Sequence, residues 1–171
     1  TDPGYVCAAE HAYNISAIGP QVAAPHSVDN VSDLAVHAGR PIDQAYIGTC
    51  TGGRLEDLAV AARILAGRKV HPRTRLLVVP ASNRVFLEAM NQGYVQTLVE
   101  AGATFVTPGC AACLGTHQGL LASSETCITS SSRNFPGRMG HAKAEIFLAS
   151  PAAVAASALE GRIADPAPYL A

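Results

Sequence analysis

Five cysteines and a pair of arginines carry most of the chemistry that this sequence can offer. Cys50 lies in the glycine-rich stretch Gly48-Thr-Cys-Thr-Gly-Gly-Arg54. A sulfur on a strand-to-helix turn sits near a helix N-terminus, where backbone N–H groups and the dipole favour a thiolate. Cys110 and Cys113 form a C-x-x-C within Pro108-Gly-Cys-Ala-Ala-Cys-Leu-Gly115. That spacing puts two sulfurs within reach of one zinc ion, one iron–sulfur cluster or each other. If Cys50 joins them, three thiolates converge. Structural zinc then needs a fourth ligand, which would have to be His117, Cys127 or an outside group, whereas an iron–sulfur cluster on three thiolates keeps one iron open. Arg133 and Arg138 lie in Ser130-Ser-Ser-Arg-Asn-Phe-Pro-Gly-Arg-Met-Gly140. Guanidinium forks suit bidentate carboxylate or phosphate.

The elements that must position these turns are legible after Pro41. Asp43–Gly48 reads as a short strand. Arg54–Ala66 repeats Leu55, Leu58, Ala62 and Leu65 at helical spacing, with Gly67 as its C-cap. Arg75–Val79 is an unbroken apolar run stopped by Pro80, the signature of a buried parallel strand. Residues 83–101 predict a helix broken at Gly93. Thr104–Val106, Thr126–Thr129 and Ile146–Leu148 predict three more strands, and Pro151–Leu159 a final helix. Strand and helix alternate, which argues an α/β fold: a three-layer αβα domain with a mostly parallel sheet. Such sheets bind ligands beyond the carboxyl ends of their strands, where all three chemical turns fall. Before Pro41, prolines 3, 20 and 25 interrupt every element, and only Tyr13–Ile18 reads as a strand. The expected division is therefore a lead-in over residues 1–40, left from a preceding domain, and a cluster-bearing domain over 41–171.

Composition narrows the function classes. The 171 residues are 49% hydrophobic and 15% charged, enough apolar material to bury a core and too little charge for a disordered chain. Twelve basic against thirteen acidic residues give a net charge of −1, which argues against nucleic acid and anionic membrane as partners. No apolar run approaches the roughly 18 residues of a membrane span. Thr1-Asp2-Pro3-Gly4 has neither the basic start nor the apolar stretch of a signal peptide. An odd cysteine count without an export signal points to the reducing cytoplasm. A phosphate loop at Gly48–Gly53 is disfavoured, because the turn lacks both Gly-Lys-Ser/Thr and G-x-G-x-x-G.

Taken together and in order, the three turns resemble one family. Ile47–Arg54, Pro108–Leu114 and Ser132–Gly140 are similar to the Ile-Gly-Ser-Cys-Thr-Asn-x-Arg, Pro-Gly-Cys-x-x-Cys-Leu and Asn-Arg-Asn-Phe-x-Gly-Arg-x-Gly motifs of the aconitase superfamily. The likeness is nearest to the large subunits of the 3-isopropylmalate dehydratase and homoaconitase type, and it runs from about Pro20 to Asp165. It implies that Cys50, Cys110 and Cys113 hold a [4Fe-4S] cluster. It also implies that Arg133 and Arg138 bind the carboxylates of a hydroxy di- or tricarboxylate that a hydro-lyase dehydrates and rehydrates. Cys7 and Cys127 match no ligand and read as buried filler; the six histidines read as surface or structural.

Two positions depart from the family motifs: Gly52 and Ser132 stand where the family has asparagine. They favour an alternative, a metal- or cluster-binding module that kept the fold and lost the reaction. Large subunits of this family are also much longer than 171 residues. The resemblance therefore implies that the proton-transfer groups lie in N-terminal domains of the large subunit and in a small swivelling-domain subunit. On this reading the chain is the C-terminal piece of a large subunit, contains no catalytic acid or base of its own, and is inactive alone.

Overall fold

Apolar segments too short for helices become the strands of one sheet in the computed structural model, which describes residues 2–171; Thr1, part of the leader reading above, lies outside the described residues. In chain order the elements are β1 (Gln21–Ala23), β2 (Val31–Asp33), β3 (Gln44–Gly48), α1 (Thr49–Gly52), α2 (Leu55–Leu65), β4 (Arg75–Val79), α3 (Asn83–Asn91), α4 (Tyr94–Ala101), β5 (Thr104–Phe105), β6 (Thr126–Thr129), β7 (Glu145–Ala149), α5 (Pro151–Glu160) and α6 (Ala167–Leu170). The sheet order is β2-β1-β7-β6-β3-β4-β5. β7, β6, β3, β4 and β5 run parallel, and β1 and β2 add an antiparallel edge beside β7. The fold is thus the expected α/β type with a mostly parallel sheet.

Alternation along the strands sorts side chains onto two cores. Ala45, Ile47, Leu76, Val78, Ile128 and Phe147 face one side, where they meet Leu58, Ile64 and Leu65 of α2, Leu98 of α4, and Ala153 and Val154 of α5. The alanines of α5 let that helix approach the sheet closely. Tyr46, Leu77, Val79, Cys127 and Ile146 face the other side. Their cover is a thin layer made by the segments around Ala112, Cys113, Leu121, Met139 and Ala144, in which, among the described residues, the 3-10 turn Ala111–Leu114 is the helical piece.

Chain direction explains that asymmetry. From β3 through β4 to β5 the chain steps one way across the sheet, with α2, α3 and α4 on one face. It then returns to β6 and continues to β7, stepping the other way. Right-handed crossovers demand the opposite face for those returns. The direction reverses between β3 and β6, so the connections that leave their carboxyl ends diverge to opposite faces of the sheet. This is where open sheets of this kind form their binding crevice.

Local signals act as the sequence predicts. Gly93 takes φ 77° and separates α3 from α4. Gly67, with φ 69°, follows the end of α2. Asp57 accepts from the Arg54 N–H at 2.9 Å and caps the start of α2. Ser150 accepts from the Ala153 N–H at 3.3 Å ahead of Pro151 in α5.

Two readings need correction. Tyr13–Ile18 is not a strand: Ile15–Ala17 is a 3-10 turn, capped by Asn14 Oδ1 accepting from the Ser16 N–H at 3.1 Å. The prolines before Pro41 do not interrupt every element either, because β1 fits between Pro20 and Pro25 and is stabilised by pairing with β7. No helix among the described residues is long and apolar enough to cross a membrane.

Candidate functional site

The first turn is built by close backbone approach. Gly48 ends β3 against Val79, and a Cβ there would lie 2.6 Å from the Val79 carbonyl oxygen. Gly53 is equally constrained, at 2.5 Å from the same oxygen. Between them the chain makes the four-residue α1, entered through Thr49 at φ 67°. Cys50 is exposed inside this short helix. It does not stand at the N-terminus of the long helix α2, as the sequence suggested. Ser130, just past β6, ties the turn down. Its Oγ accepts from the Gly48 N–H and donates to the Gly52 carbonyl, both at 3.0 Å.

The second turn follows β5. Cys110 is exposed and Cys113 is buried. The Cys113 N–H donates to the Cys110 carbonyl at 3.0 Å and closes the 3-10 turn, which ends at Gly115 with φ 78°. The Cys110 carbonyl also accepts from the hydroxyl of Tyr46, a fully buried residue of β3, at 3.3 Å. Burial, with the Cys113 sulfur nearby, pushes the Tyr46 phenol above its ordinary range, so it remains a donor.

The third turn follows β6. Asn134 is buried, and its Nδ2 donates towards the carbonyls of Ala24 (2.9 Å), Ser27 (3.2 Å) and Ile146 (3.3 Å). This one amide fastens the arginine turn to the β1–β2 connection and to β7. Arg138 is half-buried. Its Nη2 donates to Cys113 Sγ at 3.6 Å, and its guanidinium lies 5.6 Å from the Phe135 ring centroid. Arg133 is exposed and donates from Nη1 to the Ser132 carbonyl at 2.7 Å. Ser131 Oγ, Asn134 Oδ1 and Arg138 Nε are buried side-chain polar atoms without partners, and all three belong to this turn. Native structures leave few such groups unpaired, and their concentration in eight residues sets this turn apart.

The structure therefore joins the C-x-x-C turn to β3 through Tyr46 and to the arginine turn through Arg138, and joins the Cys50 turn to Ser130. Arg133 is not drawn into these contacts. The donor chemistry suits an iron–sulfur cluster: all three cysteines are unpaired thiols, and a guanidinium faces one sulfur. The arrangement is open, since no three His, Cys, Asp or Glu side chains among the described residues stand close enough to hold one metal ion. The hollow beside the C-x-x-C turn is small, about 190 Å³, and is lined by Val106–Gly109, Ala111, Thr116 and His117.

Cys127 is buried, as expected, and burial pushes its thiol up to about 12. Cys7 is not buried filler: it is exposed, because the segment before β1 packs nothing over it. Sequence reasoning missed Tyr46, Ser130 and Asn134. Tyr46 and Ser130 lie in runs that read as strand and polar loop, and only their partners, 64 and 78 or more residues away, give them a role.

Comparison with known proteins bears on this arrangement. The family model for aconitase (aconitate hydratase) matches residues 1–161. The chain is 55% identical over 157 residues to "3-isopropylmalate dehydratase large subunit 2" of Archaeoglobus fulgidus, covering 92% of this chain and 38% of that protein. It is 51% identical over 169 residues to "3-isopropylmalate dehydratase large subunit 1" of Methanopyrus kandleri, covering 99% and 40%. It is 53% identical over 165 residues to the homoaconitase large subunit of Thermus thermophilus, covering 96% and 40%. The chain thus spans about two fifths of the length of the curated relatives it matches. A match over nearly its whole length, on a sheet whose rim gathers these three turns, means that the chain belongs to the aconitase family.

Proposed function

We propose that this chain is the cluster-bearing part of a cytoplasmic hydro-lyase. Its substrate is a hydroxy di- or tricarboxylate of the 3-isopropylmalate, homocitrate or homoaconitate class. Cys50, Cys110 and Cys113 would hold a [4Fe-4S] cluster, and Arg133 and Arg138 would bind substrate carboxylate. When bound, the cluster supplies a Lewis-acidic iron that makes hydroxide a better leaving group.

The observation that carries the reading is the contact between Arg138 and Cys113. It sets a guanidinium fork against a thiol of the C-x-x-C turn, with the guanidinium Nε buried and without a partner, which supports the reading. A guanidinium there neutralises negative charge from either neighbour, sulfur or carboxylate. Arg133 now spends its donor on its own loop, and its exposed side chain can turn to a second carboxylate.

These residues bind and orient. Thiols and guanidinia are poor proton carriers for this reaction, so the acid and base come from elsewhere. The open rim fits completion by further domains of a large subunit and by a small swivelling subunit, a partner that the relatives' designation as large subunits supports.

The test is to purify the chain anaerobically, rebuild its cluster with iron and sulfide, and assay isopropylmalate, homocitrate and citrate, alone and with a small subunit and the remaining domains. The expected outcome is cluster uptake with no turnover by the chain alone. In the complete enzyme, Arg138→Lys should lower kcat/KM roughly ten- to hundredfold, because a point charge cannot replace a fork. Failure to take up iron and sulfide would refute the cluster assignment. Robust turnover by the chain alone would refute the partial-site reading.

One observation favours a second reading, a cluster-binding module without the reaction. Ser130 fills the space that a family asparagine at position 52 would need. That reading predicts cluster uptake without turnover even in the complete assembly.

A further inference from the structure

Residues 107–118 form the segment that carries Cys110 and Cys113. Among the described residues, its side-chain hydrogen bonds to the rest of the protein come from two groups only, the Tyr46 hydroxyl and the Arg138 guanidinium. The remaining bonds of the segment are internal: Cys113 to Cys110, Gly115 to Ala112 and Thr116 to Ala111. Arg138 reaches a side chain, Cys113 Sγ. Tyr46 reaches the backbone, at the carbonyl that also accepts the first bond of the C-x-x-C turn.

Tyr46 also belongs to β3, which ends at Gly48, and α1 with Cys50 follows at once. The backbone of β3 is pinned on both flanks, by β4 from Gln44 to Gly48 and by β6 from Gln44 to Tyr46. One rigid strand therefore indexes both sulfur-bearing turns, one through its carboxyl end and the other through a phenol projecting from its second face. Among the described residues, no other hydrogen bond refers both turns to a single element.

We infer that Tyr46 is a positioning residue for the ligand set, fixing the C-x-x-C turn relative to Cys50. The inference deepens the cluster reading above and rests on it for its functional meaning. The physical claim about the tether stands on the hydrogen bond alone. Removal of the hydroxyl should free the Cys110 carbonyl and loosen the first bond of the turn, leaving the ring in its packed place in the second core.

The test uses the full chain and its Tyr46→Phe variant. In the iron-free protein, amide hydrogen exchange at Cys113 and Gly115 should quicken about fivefold, the size expected for one lost hydrogen bond. Exchange in β3, β4 and α2 should not change. After anaerobic loading with iron and sulfide, the visible absorption should bleach several-fold faster in the variant when a ferrous chelator is added. Tyr46→Leu, which also loses the ring, separates tethering from packing: it should lower the Tm, whereas Tyr46→Phe should scarcely move it. Equal exchange at Cys113 in wild type and Tyr46→Phe would overturn the tether. Faster exchange with equal bleaching would overturn its role in positioning ligands. If the unsubstituted chain takes up no iron and sulfide, the cluster reading fails while the exchange result still decides the tether.

Discussion

Ser130 Oγ stands where a side chain on Gly52 would begin: a Cβ built on Gly52 lies 2.3 Å from that oxygen and 2.5 Å from the Ser130 carbonyl. The same hydroxyl bonds the Gly48 N–H and the Gly52 carbonyl. Gly52→Ala should therefore destabilise the protein by about 1–3 kcal/mol through overpacking. Chemical denaturation would measure this as a lowered midpoint. Ser130→Gly in the same chain should rescue only part of the loss, because the backbone carbonyl remains in the way. Full rescue would mean that the serine side chain alone excludes a residue at 52.

Asn134 offers a second handle. Its amide serves three carbonyls in two separate segments, those of Ala24 and Ser27 in the β1–β2 connection and that of Ile146 in β7. Asn134→Ala should cost about 1–3 kcal/mol by leaving buried acceptors unpaired. Hydrogen exchange should report faster opening of residues 131–140 and of the β1–β2 connection together. Opening of one without the other would argue against a shared fastening.

The pH dependence of stability should have a carboxylate signature from Glu125. Arg75 grips it with two 2.8 Å bonds, and this holds its carboxyl below the ordinary glutamate range. A depressed folded pKa gives stability that is present above the unfolded value and is lost as pH falls through the folded value. Arg75 is half exposed, so solvent screening limits the pair to about 1 kcal/mol at neutral pH. Glu125→Gln should lower the neutral-pH unfolding free energy by that amount. The difference from wild type should shrink on acidification and vanish once Glu125 is protonated in the folded state.

Thiol chemistry should divide the cysteines as burial does. In the iron-free folded protein, iodoacetamide should label the exposed Cys7, Cys50 and Cys110, with Cys113 and Cys127 protected until denaturant is added. Cys127 should be the slowest, since burial pushes its thiol up to about 12 and leaves almost no thiolate at neutral pH. Peptide mass spectrometry resolves the five sites. Rapid labelling of Cys127 would contradict the packing of the second core.

How far the sequence reaches depends on the range of the interaction. β4, a continuous apolar run ended by a proline, is legible to the residue, and Gly93 announces the break between α3 and α4. Both depend on neighbours a few positions away. β1 is three residues long between two prolines and has no period to read; it is a strand because it pairs with β2 on one side and, through Val22 and Ala23, with Ala149 and Leu148 of β7 on the other. Tyr13–Ile18 has the apolar character of a strand but no partner, and it closes on itself instead. The cysteine and arginine turns could be found by residue type and spacing. Tyr46, Ser130 and Asn134 could not, because a tyrosine in a strand or a serine in a polar run has no chemical mark until the fold brings a carbonyl or an amide to it.

The thin layer over the second core has a thermodynamic consequence. The segments that carry Cys113 and Arg138 also shield Leu77, Leu121, Met139 and Ile146 from water. Loosening the rim to admit a ligand would wet that core, so breathing at the site and partial melting of the sheet's second face draw on one free energy. In this molecule, receptivity at the rim is set by how tightly the core beneath it is packed.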